Sequence, residues 1–215
     1  MSLLHRARFI DTVASLDHLG RPGLDDGLPE VAFVGRSNAG KSTAINLLCN
    51  QKRLAFASKT PGRTQHLNFF EIADRDTRHG LLVDLPGYGY AEAGHDRQRE
   101  WDHFLGRYLA ERPQLRGVVL MMDARRPLTD LDVALLDFVA HRLLPVHVLL
   151  TKADKLGRSD QSQVLMRTRA AMPTHTVQLF SALKRVGLDE ADAKVLSWFP
   201  PEDARPLRPA PHDAR

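Results

Sequence analysis

Val31-Ala32-Phe33-Val34-Gly35-Arg36-Ser37-Asn38-Ala39-Gly40-Lys41-Ser42 decides the fold of this chain. Four apolar residues ending in a glycine read as a strand buried on both faces. The residues after it carry the spacing G-x-x-x-x-G-K-S, and Thr43-Ala44-Ile45-Asn46-Leu47-Leu48 continues as a helix. Strand, glycine-rich loop and helix form the context in which this spacing cradles phosphate; outside that context it would be a chance glycine-rich turn. Backbone N–H groups of Gly35, Arg36, Ser37, Asn38, Ala39 and Gly40 surround the anion, and the helix N-terminus adds partial positive charge. In such a loop Lys41 reaches the β- and γ-phosphates, and the Ser42 hydroxyl ligates Mg²⁺.

Outward from this loop, short apolar runs alternate with helical patterns. Leu81-Leu82-Val83, Val118–Met122, Val146–Leu150 and Thr176–Phe180 read as buried strands. Leu67–Ile72 alternates, as an edge strand with one solvated face would. Trp101, Phe104, Leu105, Tyr108 and Leu109 form one helical face; Leu131, Ala134, Leu135, Phe138 and Val139 form another, with Thr129 as its N-cap. A last helix is predicted over Leu188–Trp198. The pattern predicts an α/β fold of three layers, with a mostly parallel six-stranded sheet covered by helices on both faces. Residues 1–29 read as an N-terminal arm, with a short helix or extended piece near Phe9–Leu16. Residues 30–199 read as the main domain. Residues 200–215, crowded with proline, read as a disordered tail holding neither helix nor strand.

Composition narrows the classes. The chain has 215 residues, 43% of them hydrophobic and 26% charged, with one cysteine, Cys49. This excludes a disordered chain, a collagen-like fibre and an internally disulfide-bonded scaffold. No apolar run is long enough to span a bilayer, no signal peptide is expected, and a cytoplasmic location is the natural expectation. A formal net charge of +4 permits an anionic partner without demanding one. The 10 histidines show no metal-ligand spacing.

Two further motifs choose the nucleotide. Thr151-Lys152-Ala153-Asp154 follows a buried strand, at the carboxyl edge where open α/β sheets bind ligands. A carboxylate only accepts hydrogen bonds. Guanine offers N1–H and N2–H₂ side by side, whereas adenine presents a bare acceptor at N1, so Asp154 favours guanine. The aliphatic stem of Lys152 covers the base. Asp84-Leu85-Pro86-Gly87 ends another buried strand; Asp84 can hold a water of the Mg²⁺ shell, and the Gly87 N–H can meet the γ-phosphate.

Gly35-Arg36-Ser37-Asn38, Thr60-Pro61-Gly62-Arg63-Thr64-Gln65, Asp84-Leu85-Pro86-Gly87-Tyr88-Gly89-Tyr90-Ala91 and Thr151-Lys152-Ala153-Asp154-Lys155-Leu156 together resemble the EngB (YihA/YsxC) family of bacterial ribosome-biogenesis GTPases, over Phe9 to Phe199. The resemblance implies a P-loop GTPase fold and a GTP-hydrolysing switch in assembly of the large ribosomal subunit, linked to growth and cell division. It implies GTP or GDP and a ribosomal precursor of rRNA and proteins as partners, no membrane, and a monomer. It assigns Thr64 as the switch threonine that joins Ser42 and Asp84 in the Mg²⁺ shell, with Gly62, Arg63, Gln65 and His66 beside the nucleotide. Phe180-Ser181-Ala182 becomes the loop that meets guanine from its other side, mostly through backbone. Leu183 stands where many related GTPases have lysine.

Many GTPases orient the attacking water with a glutamine after Asp-x-x-Gly. Here Tyr88 takes that place, and a phenol is a poor substitute, so slow intrinsic hydrolysis is expected. Help would come from the partner or from K⁺ held by Asn38, whose position coordinates potassium in related GTPases; the alternative role for Asn38 is loop stabilisation. Tyr88 and Tyr90 could be core residues, but their glycine flanks and the polar neighbours His95, Asp96 and Arg97 argue instead for a mobile, exposed loop whose aromatics stack on RNA bases or pack on a ribosomal protein. Lys52, Arg53, Lys59, Arg63, Arg97, Arg99, Arg125 and Arg126 are basic residues near these loops. Two other classes remain open: a signalling or cell-division GTPase with a protein effector, and an ATP-using small-molecule kinase, against which Asp154 argues.

Asp154→Asn is expected to shift preference from GTP toward XTP, since xanthine carries a carbonyl where guanine carries the 2-amino group. A charge-assisted bond is worth about 1.5–3 kcal/mol, so GTP affinity should fall about tenfold or more. Nucleotide titrations check this; equal loss of both nucleotides would place the effect in the folding of the loop.

Overall fold

The computed structural model describes residues 1–21, 23–24, 26–55, 66–88 and 105–206. Its strands are β1 Ala7–Val13, β2 Glu30–Gly35, β3 Leu67–Asp74, β4 Thr77–Asp84, β5 Leu115–Asp123, β6 Val146–Thr151, β7 Thr176–Leu179 and β8 Arg205–Pro206. They form one sheet in the order β1-β3-β4-β2-β5-β6-β7, with β8 paired to β4. The pairs β2·β4, β2·β5, β5·β6 and β6·β7 are parallel. Helices are α1 Lys41–Leu48, α2 at residues 105–111, α3 Asp130–Ala140, α4 Arg158–Ala171 and α5 Leu188–Leu196.

Alternation along the central strands builds two cores. On β2, Ala32 and Val34 face the layer that holds Leu105, Tyr108 and Leu109 of α2 and Leu135 and Val139 of α3. Val31 and Phe33 face the opposite layer, with Ala44, Ile45 and Leu48 of α1 and Ala191 and Val195 of α5. Every residue of β2 and β6 is buried, as their uninterrupted apolar runs predict. This is the expected three-layer α/β architecture, and all six expected strands are present.

The ends of the chain depart from expectation. The N-terminal arm is a strand of the main sheet: β1 pairs antiparallel with β3 from Ala7↔Ile72 to Val13↔Leu67. β3 therefore is no edge and has no solvated face; Phe69 packs in one core and Phe70 and Ile72 in the other. Glu71, a charged residue of this strand, is 3% exposed and is held by the guanidinium groups of Arg8 and Arg78. Seven strands lie on the main path and β8 adds an eighth, against the six expected.

Beyond α5 the chain is ordered further than its prolines suggest. Pro201–Asp203 makes a 3₁₀ turn, Arg205 and Pro206 pair with Arg78 and Thr77, and Arg116 bonds Asp203 at 3.0 Å. The cause lies just upstream. The Trp198 ring lies on Gly117 and the Phe199 ring on Gly80, so closely that a Cβ at Gly117 would sit under 3.0 Å from the Trp198 ring and one at Gly80 under 3.0 Å from the Phe199 ring. These two aromatics press the following residues onto the start of β4. The remainder of the proline-rich stretch, 207–215, lies outside the described residues, as do Trp101 and Phe104.

The inward face of α3 is also rotated. Thr129 is the N-cap, its N–H and hydroxyl both donating to Asp132 at 3.0 and 2.8 Å. The buried residues are Asp132, Leu135 and Val139, while Leu131 and Phe138 are each 39% exposed. A buried hydrogen bond to Asp132, described below, sets this rotation.

Gly117→Val should displace the Trp198 ring and destabilise the protein by about 1–3 kcal/mol in urea unfolding, the usual cost of overpacking. Gly20→Ala, with nothing within 4 Å of the added Cβ, is the control. Equal stability of the two variants would show that Trp198 does not depend on this close approach.

Candidate nucleotide site

The phosphate loop leaves the end of β2, its most central strand, and enters α1 at Lys41. Gly35 packs so close to β5 that a Cβ would sit 2.8 Å from the Met121 Cβ. Gly40 caps α1 with φ 93°, a left-handed conformation that glycine adopts without cost. Asn38 is also left-handed, at φ 62°, and asparagine is among the few other residues that tolerate it. This gives Asn38 a backbone reason to be asparagine. Asn38 is exposed, and its carbonyl, which accepts from the Lys152 ammonium at 2.8 Å, ties the loop down.

Asp84 stands at the carboxyl end of β4, the strand parallel to β2. It is 4% exposed and paired with the Lys41 ammonium, which is itself 12% exposed. Burial pushes the Asp84 carboxyl above its ordinary pKa, and the Lys41 charge pulls it back. Ser42 follows Lys41 in the first turn of α1. A hydroxyl and a carboxylate are hard oxygen donors that suit Mg²⁺. No cluster of three or more His, Cys, Asp or Glu that could hold a metal ion by itself exists among the described residues. The residues present therefore fit an ion that draws its other ligands from phosphates and water, as Mg²⁺ does. Bound there, Mg²⁺ would neutralise phosphate charge; Ser42 and Asp84 would hold it, while Lys41 serves the phosphates.

After Asp84, Leu85 donates its N–H to Phe33 at 3.1 Å, and Leu85 and Pro86 are buried. Gly87 lies against Ser37, where a Cβ would be 3.0 Å from its N and Cα. Tyr88 then pairs with the phosphate loop: its N–H reaches the Gly35 carbonyl at 3.3 Å, and its carbonyl accepts the Ser37 N–H at 3.0 Å. The Tyr88 side chain is 5% exposed and donates its hydroxyl to Asp132 at 2.7 Å. Tyr88 is thus a core residue and no exposed stacking aromatic; burial, then the Asp132 charge, pushes its hydroxyl far above the ordinary range. This bond draws Asp132 inward on α3. Tyr90, Lys59, Arg97, Arg99, Gly62, Arg63, Thr64 and Gln65 lie outside the described residues. His66, half-buried, immediately precedes β3.

The base-side loops meet at the ends of β6 and β7. Thr151 donates its hydroxyl to the Ala39 carbonyl at 2.8 Å and to Met122 at 3.1 Å. Lys152, left-handed at φ 56°, donates its ammonium to the Asn38 carbonyl at 2.8 Å and to Asp123 at 3.0 Å. Ala153 bonds the Phe180 carbonyl at 3.2 Å. Ser181, fully buried, donates its hydroxyl to Asp154 at 2.5 Å and accepts the Lys184 N–H at 3.1 Å. The Ser181 bond lowers the Asp154 pKa, so the carboxyl stays an ionised acceptor. Ser181 and Val186 bond each other at 3.1 Å in both directions and close the loop, with Ala182 inside it and Leu183 73% exposed.

The structure thus brings Gly35–Ser42, Asp84–Gly87, Thr151–Asp154 and Phe180–Ala182 to one edge of the sheet. Sequence reasoning missed Asp123 and Asp132 as partners of the site, and missed the side-chain role of Ser181. Asp123 carried a usable signal, because it ends a buried strand as Asp84 does. Arg125 is engaged with Asp123 at 2.7 Å.

A glycine-rich loop at a central parallel strand, an Asp at the neighbouring strand end and an ionised Asp beyond the end of β6 are the elements of the P-loop GTPase fold. The sequence pattern of the family described as "50S ribosome-binding GTPase" matches residues 30–152. A probable GTP-binding protein EngB of Ralstonia nicotianae is 50% identical over 230 residues, covering 98% of this chain and 97% of the relative. Its counterpart in Burkholderia pseudomallei (strain 1106a) is 54% identical, covering 94% of each. The chain belongs to the EngB family of GTP-binding proteins. Among solved structures, a probable GTP-binding protein EngB superposes with a TM-score of 0.60 at 18% identity, covering 79% of this chain and 98% of that one. Era, in complex with MgGDPNP and nucleotides 1506–1542 of 16S ribosomal RNA, gives 0.67 at 24% identity, covering 85% and 59%. These two likenesses establish the shared fold.

Tyr88→Phe removes the donor to a buried carboxylate and should cost about 1.5–3 kcal/mol in urea unfolding, the range for hydrogen bonds to charged groups. Undiminished stability would show that Asp132 finds another donor.

Proposed function

We propose that this protein binds GTP with Mg²⁺, hydrolyses it to GDP and phosphate, and acts in the cytoplasm as a monomeric switch in assembly of the large ribosomal subunit, with growth and cell division depending on it. The observation that carries this reading is the family match over residues 30–152, and it is supported by the gathering of Gly35–Ser42, Asp84–Gly87, Thr151–Asp154 and Phe180–Ala182 at one sheet edge. The family description names 50S binding, and the fold-mate Era was solved with ribosomal RNA. We place the GTP-binding unit at residues 30–199, with 1–29 and 200–215 as additions to it.

In the proposed reaction Lys41 leaves Asp84 for the β- and γ-phosphates, and the Gly87 N–H meets the γ-phosphate. Ser42 and Thr64 hold Mg²⁺, with Asp84 reaching it through a water, and Asn38 holds K⁺ beside the phosphates. Tyr88, bonded to Asp132, takes no part in orienting water, which supports a slow intrinsic rate and acceleration by K⁺ or by the ribosomal partner. A protein effector with no RNA contact is the second reading. Leu131, Val133 and Phe138 of α3, 39–41% exposed, favour it.

Purified protein should co-sediment with large ribosomal subunits when loaded with a non-hydrolysable GTP analogue, and release with GDP. If rRNA phosphates are contacted, binding should weaken steeply with salt. No co-sedimentation with either subunit in any nucleotide state would remove the ribosomal reading. Binding insensitive to salt would favour a protein surface as the partner.

A further inference from the structure

We propose that Asp123 is a positioning residue of the nucleotide site, holding the Lys152 ammonium so that the lysine stem lies over the purine ring. The proposal rests on the assignment of Thr151–Asp154 as the base site. Asp123 ends β5 and stands directly opposite Thr151 in the parallel register. Its Oδ2 lies 3.0 Å from the Lys152 ammonium, which also donates to the Asn38 carbonyl at 2.8 Å. Lysine carries its charge on a flexible four-carbon stem, and a left-handed backbone at Lys152 does not by itself direct that stem. With the side chain 35% exposed, water competes for the ammonium. The carboxylate behind it supplies a fixed anion, and the Asn38 carbonyl a second anchor across the phosphate loop.

Asp123 has another cation. Arg125 donates to its two oxygens at 2.9 and 2.7 Å, and the Arg125 N–H reaches Oδ1 at 3.1 Å. These bonds, with those of Lys152, hold the carboxyl well below the ordinary aspartate range, so the anion is permanent at working pH. The competing explanation is that Asp123 only shapes its own turn, through the Arg125 N–H and through its carbonyl, which accepts from Arg126 at 2.9 Å. Arg125 is 52% exposed, and exposed pairs of this kind contribute little.

The two explanations separate in nucleotide titrations without ribosomes or hydrolysis. Asp123→Asn keeps an oxygen for the Arg125 N–H and loses the charge. It is expected to weaken GDP about 10–100-fold, and IDP, which lacks the 2-amino group, by the same factor, because a cover acts on the ring and not on its edge. In a Lys152→Met background, which keeps a stem but no ammonium, Asp123→Asn should cost nothing further. Arg125→Ala should leave GDP affinity within about twofold. Additive losses in the double variant, or a loss from Arg125→Ala as large as from Asp123→Asn, would overturn the role and return Asp123 to its turn. A parent protein that binds neither GDP nor IDP would overturn the base-site assignment itself, a result distinct from additivity in a parent that binds.

Discussion

Thr151 donates to the carbonyl of Ala39, and Lys152 to the carbonyl of Asn38, so the loop proposed to read the base is hydrogen-bonded to the loop proposed to hold the phosphates. A nucleotide has a fixed span from ring to phosphate, and a site for it needs its two ends held at one separation. Here that separation is set by side chains reaching from the end of β6 across β5 to the turn after β2. The parallel register makes this possible, since Asp123 pairs with Thr151 and Gly35 with Met121, and all three strands stop at one edge. Buried strands leave those ends little freedom, and polar contacts between rigid ends keep their geometry.

Around the phosphate loop, charge is arranged in pairs that a ligand can rearrange. Lys41 and Asp84 neutralise each other at low exposure, where an unpaired charge would be costly. A phosphate arriving at Lys41 and a divalent ion arriving near Asp84 each take one partner and leave the other needing compensation. Nucleotide and ion are thereby expected to favour each other's binding, and this coupling needs no movement of the strands. Away from the site, Glu30 and Arg112 form a second buried pair, with Tyr108 donating to Glu30 at 2.6 Å. That group fastens the end of α2 beneath the start of β2 and takes no part in ligand chemistry.

Much of this was legible in the residues. Apolar runs located five of the six strands of the expected sheet, because burial on both faces leaves a continuous signal, and alternation located the sixth, Leu67–Ile72. The phosphate and base motifs were legible because each couples a residue type to a strand end. The misreadings share one cause. The strand of Glu71 looked solvated on one face, Tyr88 looked exposed and Asp132 went unnoticed, since a polar residue in sequence carries no mark of the distant partner that allows its burial. Arg8 and Arg78 satisfy Glu71, and Asp132 satisfies Tyr88 across 44 positions. The prolines after Phe199 misled in the same way. Their composition argues for disorder, while two aromatics seated on glycines of distant strands hold the first of them in place.

Those two aromatics also order events in time. A chain made from its N-terminus completes β2, β4 and β5 well before Trp198 and Phe199 exist. Until then Gly80 and Gly117 face an open gap on the layer that buries Val31, Phe33 and Leu82. The strands that carry the phosphate loop can pair early and α1 can cover part of that face, but the part around Gly80 and Gly117 stays wet until residue 199 has been added and has cleared the exit of the synthesising ribosome. Domains of this kind close as units. The candidate site is therefore expected to gain its full rigidity only once Trp198 and Phe199 have emerged, when a surface far from the ligand is sealed.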